Sequence, residues 1–206
     1  MKFIENMGAL EAIYGAPVPT SLTKVAHHLT PEYGRWIMAS KFCVLSTVGP
    51  EGTDGTPRGD DGPVVQVQDG RTLLMPDWAG NNRIDSLRNI LRDDRLSLMF
   101  MVQGSNNVTR VNGRGKITTD EDLRARFGKN GKLPRTVLVI SIDEVYFQCA
   151  KAVMRAGLWG EAPDISDVPT AGELIKAMTK GTEGGADYDA SYEARAKEQL
   201  WGRDYS

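Results

Sequence analysis

Three short clusters hold most of the side chains that could serve a ligand. In Thr56-Pro57-Arg58-Gly59-Asp60-Asp61-Gly62, proline and glycine restrict the backbone while one arginine and two carboxylates sit close together. That combination suits charge stabilisation beside a bound molecule, and it equally suits a solvated turn. The second cluster, Pro76-Asp77-Trp78-Ala79-Gly80-Asn81-Asn82-Arg83, runs straight into an amphipathic helical pattern. A helix N-terminus presents unpaired N–H groups and the positive end of a dipole, which makes it a natural seat for an anion. Arg83 has the wrong sign for that dipole unless an anion such as phosphate bridges the two, although an arginine there is also compatible with simple solvation. Asn81 and Asn82 fit either as ordinary N-caps or as amide donors to phosphate oxygens. The third cluster runs from Tyr146 to Trp159. On a helix Lys151 and Arg155 share one face, with Trp159 a turn further on, so two cations and an indole would meet a flat, electron-rich or phosphorylated ligand. An exposed amphipathic helix accounts for the same pattern.

Self-sufficient catalytic sets are missing from the sequence. His27-His28 has no further His or Cys at ligand spacing, so no metal site is expected. No Gly-x-Ser-x-Gly elbow occurs, and neither Cys43 nor Cys149 lies beside a local base. No catalytic residue can be assigned, and any reaction would fall to a cofactor.

The elements that must position these clusters read as follows. Phe3, Ile4, Met7, Leu10 and Ile13 recur at helical spacing and form an N-terminal helical preface. Thr30 as N-cap and Pro31 at the first helical position open a short helix to about Ser40. Residues 42–48 are dense in β-formers and end at Gly49-Pro50-Glu51-Gly52, a strand leaving into a turn. Residues 64–68 and 72–75 flank Asp69-Gly70 and should pair as an antiparallel hairpin. Ile84, Leu87, Ile90 and Leu91 form one apolar helical stripe closed by Asp93-Asp94. Strands are expected again at 96–102, 107–112, 115–118 and 137–142, with a helical stretch over 120–127 before Gly128. In the tail, Thr170 and Glu173 form a capping box for a helix over 172–179. A second helix is expected over 191–200, after a flexible linker at 181–185. Hairpin signals without regular strand–helix alternation point to a mainly β, α+β chain: a small antiparallel barrel with helices at both ends. Residues 1–40 form the preface, 41–160 the barrel, and 161–206 a helical tail packed on the same domain.

Composition sets the outer limits. The chain has 206 residues, 40% hydrophobic, with 25 basic against 27 acidic side chains and a net charge of −2. This is the balance of a globular domain able to bury a core, and a near-neutral charge argues against nucleic-acid binding. No apolar stretch has the length of a signal core or a bilayer span, and two distant cysteines fit a reducing compartment, so a cytoplasmic location is expected. Twenty-two glycines are an excess, and Gly59, Gly62, Gly80, Gly113 and Gly157 fall in or beside sharp turns of the chemistry-bearing segments.

Several stretches in this order carry a resemblance: Thr56 to Asp60, Arg71 to Asp77, Gly80 to Leu91, Arg110 to Gly113, and Gln148 to Arg155 through Leu158-Trp159. Over roughly residues 20–160 the chain resembles the pyridoxamine 5'-phosphate oxidase-like flavoproteins, and more narrowly a bacterial branch of FMN-binding proteins. The resemblance implies a split β-barrel of FMN-binding type and a homodimer with FMN in two equivalent clefts at the subunit interface. Carried onto this sequence, it implies flavin phosphate at Gln66, Asn81, Asn82 and Arg83. Arg58, Gly59 and Asp60 would lie beside the isoalloxazine ring, with Pro76 and Asp77 lining the ring or ribityl chain. Lys151, Arg155 and Trp159 would complete the cleft from the partner subunit. A lysine common on the second strand is replaced here by Gln66, which shifts the phosphate charge onto Arg83 and Lys151 or Arg155. The C-terminal arginine-and-histidine signature of the vitamin B6 oxidases is absent, so pyridoxamine phosphate is not implied as substrate. The resulting expectation is an FMN-dependent oxidoreductase passing hydride through flavin N5. The alternatives are a flavin-binding or sensing module without turnover, or a binder of deazaflavin or haem.

Overall fold

The computed structural model describes residues 1–78 and 80–201; Ala79 of the second cluster and the chain end at 202–206 lie outside the described residues. Among the described residues the β-forming runs become seven strands: β1 (Phe42–Gly49), β2 (Gly52–Gly59), β3 (Gln66–Asp69), β4 (Thr72–Asp77), β5 (Arg95–Met101), β6 (Val108–Thr118) and β7 (Thr136–Gln148). They form one sheet in the order β2-β1-β5-β6-β7-β4-β3, with every neighbouring pair antiparallel. The helices are α1 (Met7–Tyr14), α2 (Pro19–Thr23), α3 (Pro31–Met38), α4 (Asp85–Arg92), α5 (Glu121–Ala125), α6 (Lys151–Ala156), α7 (Ala171–Met178) and α8 (Ala186–Glu198). This is an α+β fold of the split-barrel type. None of its described helices is long and apolar enough to cross a membrane.

Inward residues of the strands supply the core: Cys43 and Leu45, Leu73 and Met75, Leu98 and Phe100, Val111, Leu138 and Ile140 are all fully buried. Ile37 of α3 and Ile90 of α4 pack against the same cluster. β4 is buried on both faces, because Phe127 and Leu123 cover its Leu74 from outside. Local signals hold where the sequence carries them. Thr30 caps α3 ahead of Pro31, the Thr170–Glu173 capping box opens α7, and Asp69-Gly70 joins the β3–β4 hairpin.

Other expectations need correction. The Pro50-Glu51 turn does not lead into a loop but closes a hairpin, so Thr56 to Gly59 is strand β2 and not a turn. That segment escaped the alternation rule because β2 is an edge strand with no fully buried residue, and an edge tolerates its Pro57. Residues 107–112 and 115–118 are one strand, β6, whose register slips at Asn112/Gly113 through a bulge. β7 continues to Gln148, so the third cluster begins as strand, and α6 has only six residues. α8 starts at Ala186, with Asp187 and Asp189 in its first turn suiting the dipole. In α4 the buried face is Ser86, Asn89 and Ile90, while Ile84 and Leu91 are exposed. Polar packing decides this: the buried Asn89 amide donates to Thr47 Oγ1 at 3.1 Å. The preface residues Phe3, Ile4, Met7 and Ile13 are all exposed, and α1 buries none of its residues.

The bulge puts its extra residue, Asp143, on β7 opposite Gly113 of β6, and the close approach there depends on this glycine, since a Cβ on Gly113 would collide with the Ser141 carbonyl. Gly113→Ala should therefore cost roughly 2 kcal/mol in urea or thermal unfolding. Gly62→Ala, with open space around it, should stay within about 0.5 kcal/mol. Equal effects at the two positions would refute the close-approach argument.

Candidate functional site

A cleft of about 550 Å³ opens where the edge strand β2 faces the end of β4, the 80–84 loop and the start of α4. β2 turns alternate residues Asp54, Thr56 and Arg58 to its less exposed face, and all three line the cleft. Arg58 donates from Nη1 to Asp77 Oδ1, with side chains only 18% and 13% exposed. The Arg58 Nε is buried without a hydrogen-bond partner. A buried guanidinium N–H left unpaired is costly, and it is the kind of group that a bound acceptor satisfies.

On the opposite side, α4 begins with no side chain capping its first turn; its N-cap position is Ile84, in left-handed backbone at φ 49°. Asn82 is also left-handed, at φ 62°. For a β-branched residue this conformation is strained, and such strain concentrates at ligand-binding loops. Polar ties hold the loop in place: Asn81 Oδ1 accepts from the Arg83 N–H at 3.1 Å, and Asn82 Oδ1 accepts from Arg135 Nη1 at 3.0 Å. Arg135 is fixed in turn by its backbone N–H, which donates to the Asp77 carbonyl at 3.1 Å. Ser86 donates to Asp54 across the cleft at 2.6 Å. Arg83 is mostly exposed and hydrogen-bonds Asp85, which raises its already high pKa, so it stays a cation.

Asp60 closes one rim. Its nearly buried carboxylate accepts from the Gly62 N–H at 3.1 Å and the Trp78 indole at 3.4 Å, and pairs with Lys129. Lys129 also pairs with Asp61, and that bond holds the Asp61 carboxyl below its usual range. Burial by itself would lower the Lys129 ammonium, but the bonds to Asp60 and Asp61 outweigh it and keep its pKa above the ordinary value.

Of the expected site residues, the cleft gathers Arg58, Gly59, Asp60, Pro76, Asp77, Asn81, Asn82 and Arg83. Four others lie elsewhere. Gln66 turns its amide to the Arg126 carbonyl at 3.4 Å instead of the cleft. Lys151 and Arg155 are exposed on α6, beyond the Gln148 end of β7, whereas the cleft borders the Thr136 end of that 13-residue strand. Trp159 does not share their face. Gly157 ends α6 in left-handed backbone, and the Trp159 indole donates to the Ser105 carbonyl at 2.7 Å. Asn81 and Asn82 are not the N-caps of α4, which starts later than the apolar pattern indicates. Sequence reasoning missed Asp54, Ser86 and Arg135, which also line the cleft. Asp54 was hidden by the mistaken turn. Arg135 carried one usable signal, as a cation immediately before a strong strand.

The sequence profile of pyridoxamine 5'-phosphate oxidase matches residues 29–149, more than half of the chain and all seven strands. The chain belongs to the pyridoxamine 5'-phosphate oxidase family. Several solved structures are similar to it. HupZ of Group A Streptococcus is 19% identical, covering 57% of this chain and 91% of its own, with a TM-score of 0.47. An FMN-binding protein of Syntrophomonas wolfei is 14% identical, covering 57% and 85%, with a TM-score of 0.45. A FAD-binding protein of Mesorhizobium loti is 16% identical, covering 60% and 94%, with a TM-score of 0.42. None of the curated proteins matches the chain. The family match covers β1 to β7 and stops before α6, so the tail of this family member lies outside it.

Cys43 pairs across strands with Arg58 behind the cleft, and burial pushes its thiol up to about 12, with the Arg58 charge pulling the other way. At pH 8 it is fully protonated and inert, whereas Cys149 is exposed. An alkylating reagent should therefore modify one thiol in the folded protein and two in denaturant. Two fast thiols in the folded state would mean that the β1–β2 hairpin is open.

Proposed function

We propose that this chain is an FMN-binding flavoprotein, with the cleft between β2, β4 and α4 as the cofactor site. The observation that carries this is the buried, half-satisfied Arg58 guanidinium facing an uncapped and strained helix start. Together they offer cationic and N–H donors to one phosphorylated, electron-rich molecule. The cleft volume falls within the range of cofactor sites.

The chain's own residues would divide the work by position. Asp77 holds Arg58, so the guanidinium would meet a bound flavin ring already in place, without reorganisation. The first-turn amides of α4, with Arg83 and Arg135 beside them, would take the phosphate. The Trp78 face would exclude water from one side. When bound, the flavin would supply hydride or electron transfer at its N5. Lys151 and Arg155 make no ion pair among the described residues, and we assign them to the cleft of a second copy in a homodimer. An oxidoreductase role is the reading that such a cofactor favours.

A second reading has an observation of its own. The described lining residues include no His, the side chain most often used for proton transfer near neutral pH, and no Cys or Tyr, which favours flavin binding without turnover. The same set lacks an axial-ligand type for haem.

Titration of FMN into the ligand-free protein should quench flavin fluorescence at one equivalent per chain. Arg58→Met should weaken binding about 10- to 100-fold, as expected for a charge-assisted hydrogen bond, and Arg83→Ala should weaken it about tenfold. A wild-type protein that takes up no FMN sinks the proposal. Reduction of the bound flavin by NAD(P)H, followed by reoxidation with an acceptor, separates the oxidoreductase from the binding module.

A further inference from the structure

The C-terminal segment beyond Trp159 returns to the rim of the cleft at Trp201. It leaves the barrel at the Trp159–Ser105 hydrogen bond and forms the α7–α8 hairpin, which is clasped internally. Asp189 accepts from Thr170 Oγ1 at 2.6 Å and from the Gly172 N–H at 2.8 Å. The backbones meet where Gly185 donates to the Gly172 carbonyl at 2.8 Å, and a Cβ at Gly172 would collide there. The hairpin adds little to the barrel core: α8 buries none of its residues, and Leu174 and Met178 of α7 are exposed.

Just past α8, Trp201 meets the cleft rim. Its ring packs edge-on against Trp78, with centroids 5.2 Å apart at 69°, and Lys129 Nζ lies 4.2 Å from the Trp201 centroid. Lys129 pairs with Asp60, and Asp60 accepts from the Trp78 indole, so the contacts close on themselves: Trp201, Lys129, Asp60, Trp78 and back to Trp201. Trp78 and Asp60 both line the cleft. A hairpin with internal cohesion but a light hold on the barrel core, fastened at its end by the contacts of Trp201 with Trp78 and Lys129, has the mechanics of a strap.

We propose that the α7–α8 segment is such a strap, tied to the rim of the cleft, and that Trp201 is its latch. Trp201 is a positioning residue: it steadies the Trp78 wall and slows exchange of the cleft's ligand. The inference rests on the flavin reading for the identity of that ligand, but not for the latch itself. An aromatic edge contact and a cation–π contact at a half-exposed site are together worth about a tenfold shift between closed and open populations.

Two measurements on Trp201→Ala test this. In ligand-free protein, hydrogen–deuterium exchange should quicken in peptides carrying Asp60, Trp78 and α8, while β5–β7 peptides stay protected. In FMN-loaded protein, stopped-flow release should accelerate about tenfold, and Trp201→Phe should restore much of the slow rate. The unfolding midpoint should barely move, because α8 contributes nothing to the buried core. Unchanged exchange in the ligand-free variant overturns the latch. Faster exchange with unchanged FMN release overturns its control of the cleft. A wild-type protein that takes up no FMN overturns the flavin reading and with it the ligand control, while the ligand-free exchange measurement still decides the latch.

Discussion

The ion pair between Arg58 and Asp77 ties together the two sides of the split barrel. β2 lies at one edge of the sheet and β4 beside the other edge, so no ladder hydrogen bond joins them; the guanidinium and carboxylate do. Removing one partner would strand a largely buried charge, at a cost of the order of 3 kcal/mol. The pair also defines the cleft, because it holds the end of β4 opposite β2. Stability and ligand readiness therefore share one interaction here.

Around that pair, the cleft is assembled from backbone ends more than from regular structure. β4 stops at Asp77, β7 begins at Thr136, and α4 starts at Asp85 after two left-handed residues. Each ending frees polar groups, and the structure spends several of them on one another: Arg135 on Asn82 and Asp77, Asn81 on Arg83, Ser86 on Asp54. What stays unspent is the start of α4 and the Arg58 Nε. The strained Ile84 and these leftover donors are the features on which the proposed cofactor site rests. The carboxylates interleaved among the cations, Asp54, Asp77 and Asp85, keep those cations in place without neutralising the whole surface.

Much of this was legible in the residues. Thr30-Pro31, Asp69-Gly70 and the Thr170–Glu173 box each act through hydrogen bonds within a few positions, so their structural outcome follows from spacing alone. The gathering of Asn81, Asn82 and Arg83 at the start of α4 was legible from their nearness to it in sequence. The β2 strand was not, because an edge strand with one polar face and one solvent face has no apolar alternation to report. Nor was the true buried face of α4, since Asn89 outcompetes Leu91 for the interior through a hydrogen bond to Thr47, a residue on another element.

By itself, then, the sequence determined the family, the antiparallel α+β class and eight of the residues that gather at the cleft, through motifs and caps whose physics is local. Only the tertiary structure decided which charges meet. Arg58 finds Asp77 from 19 residues away, and Lys129 finds Asp60 from 69. It also decided that Gln66, Lys151, Arg155 and Trp159 stay out of this chain's own cleft, and that Trp201 returns to its rim. Those outcomes depend on how sheet curvature and strand length carry distant segments past one another, and no spacing along the chain encodes that separation.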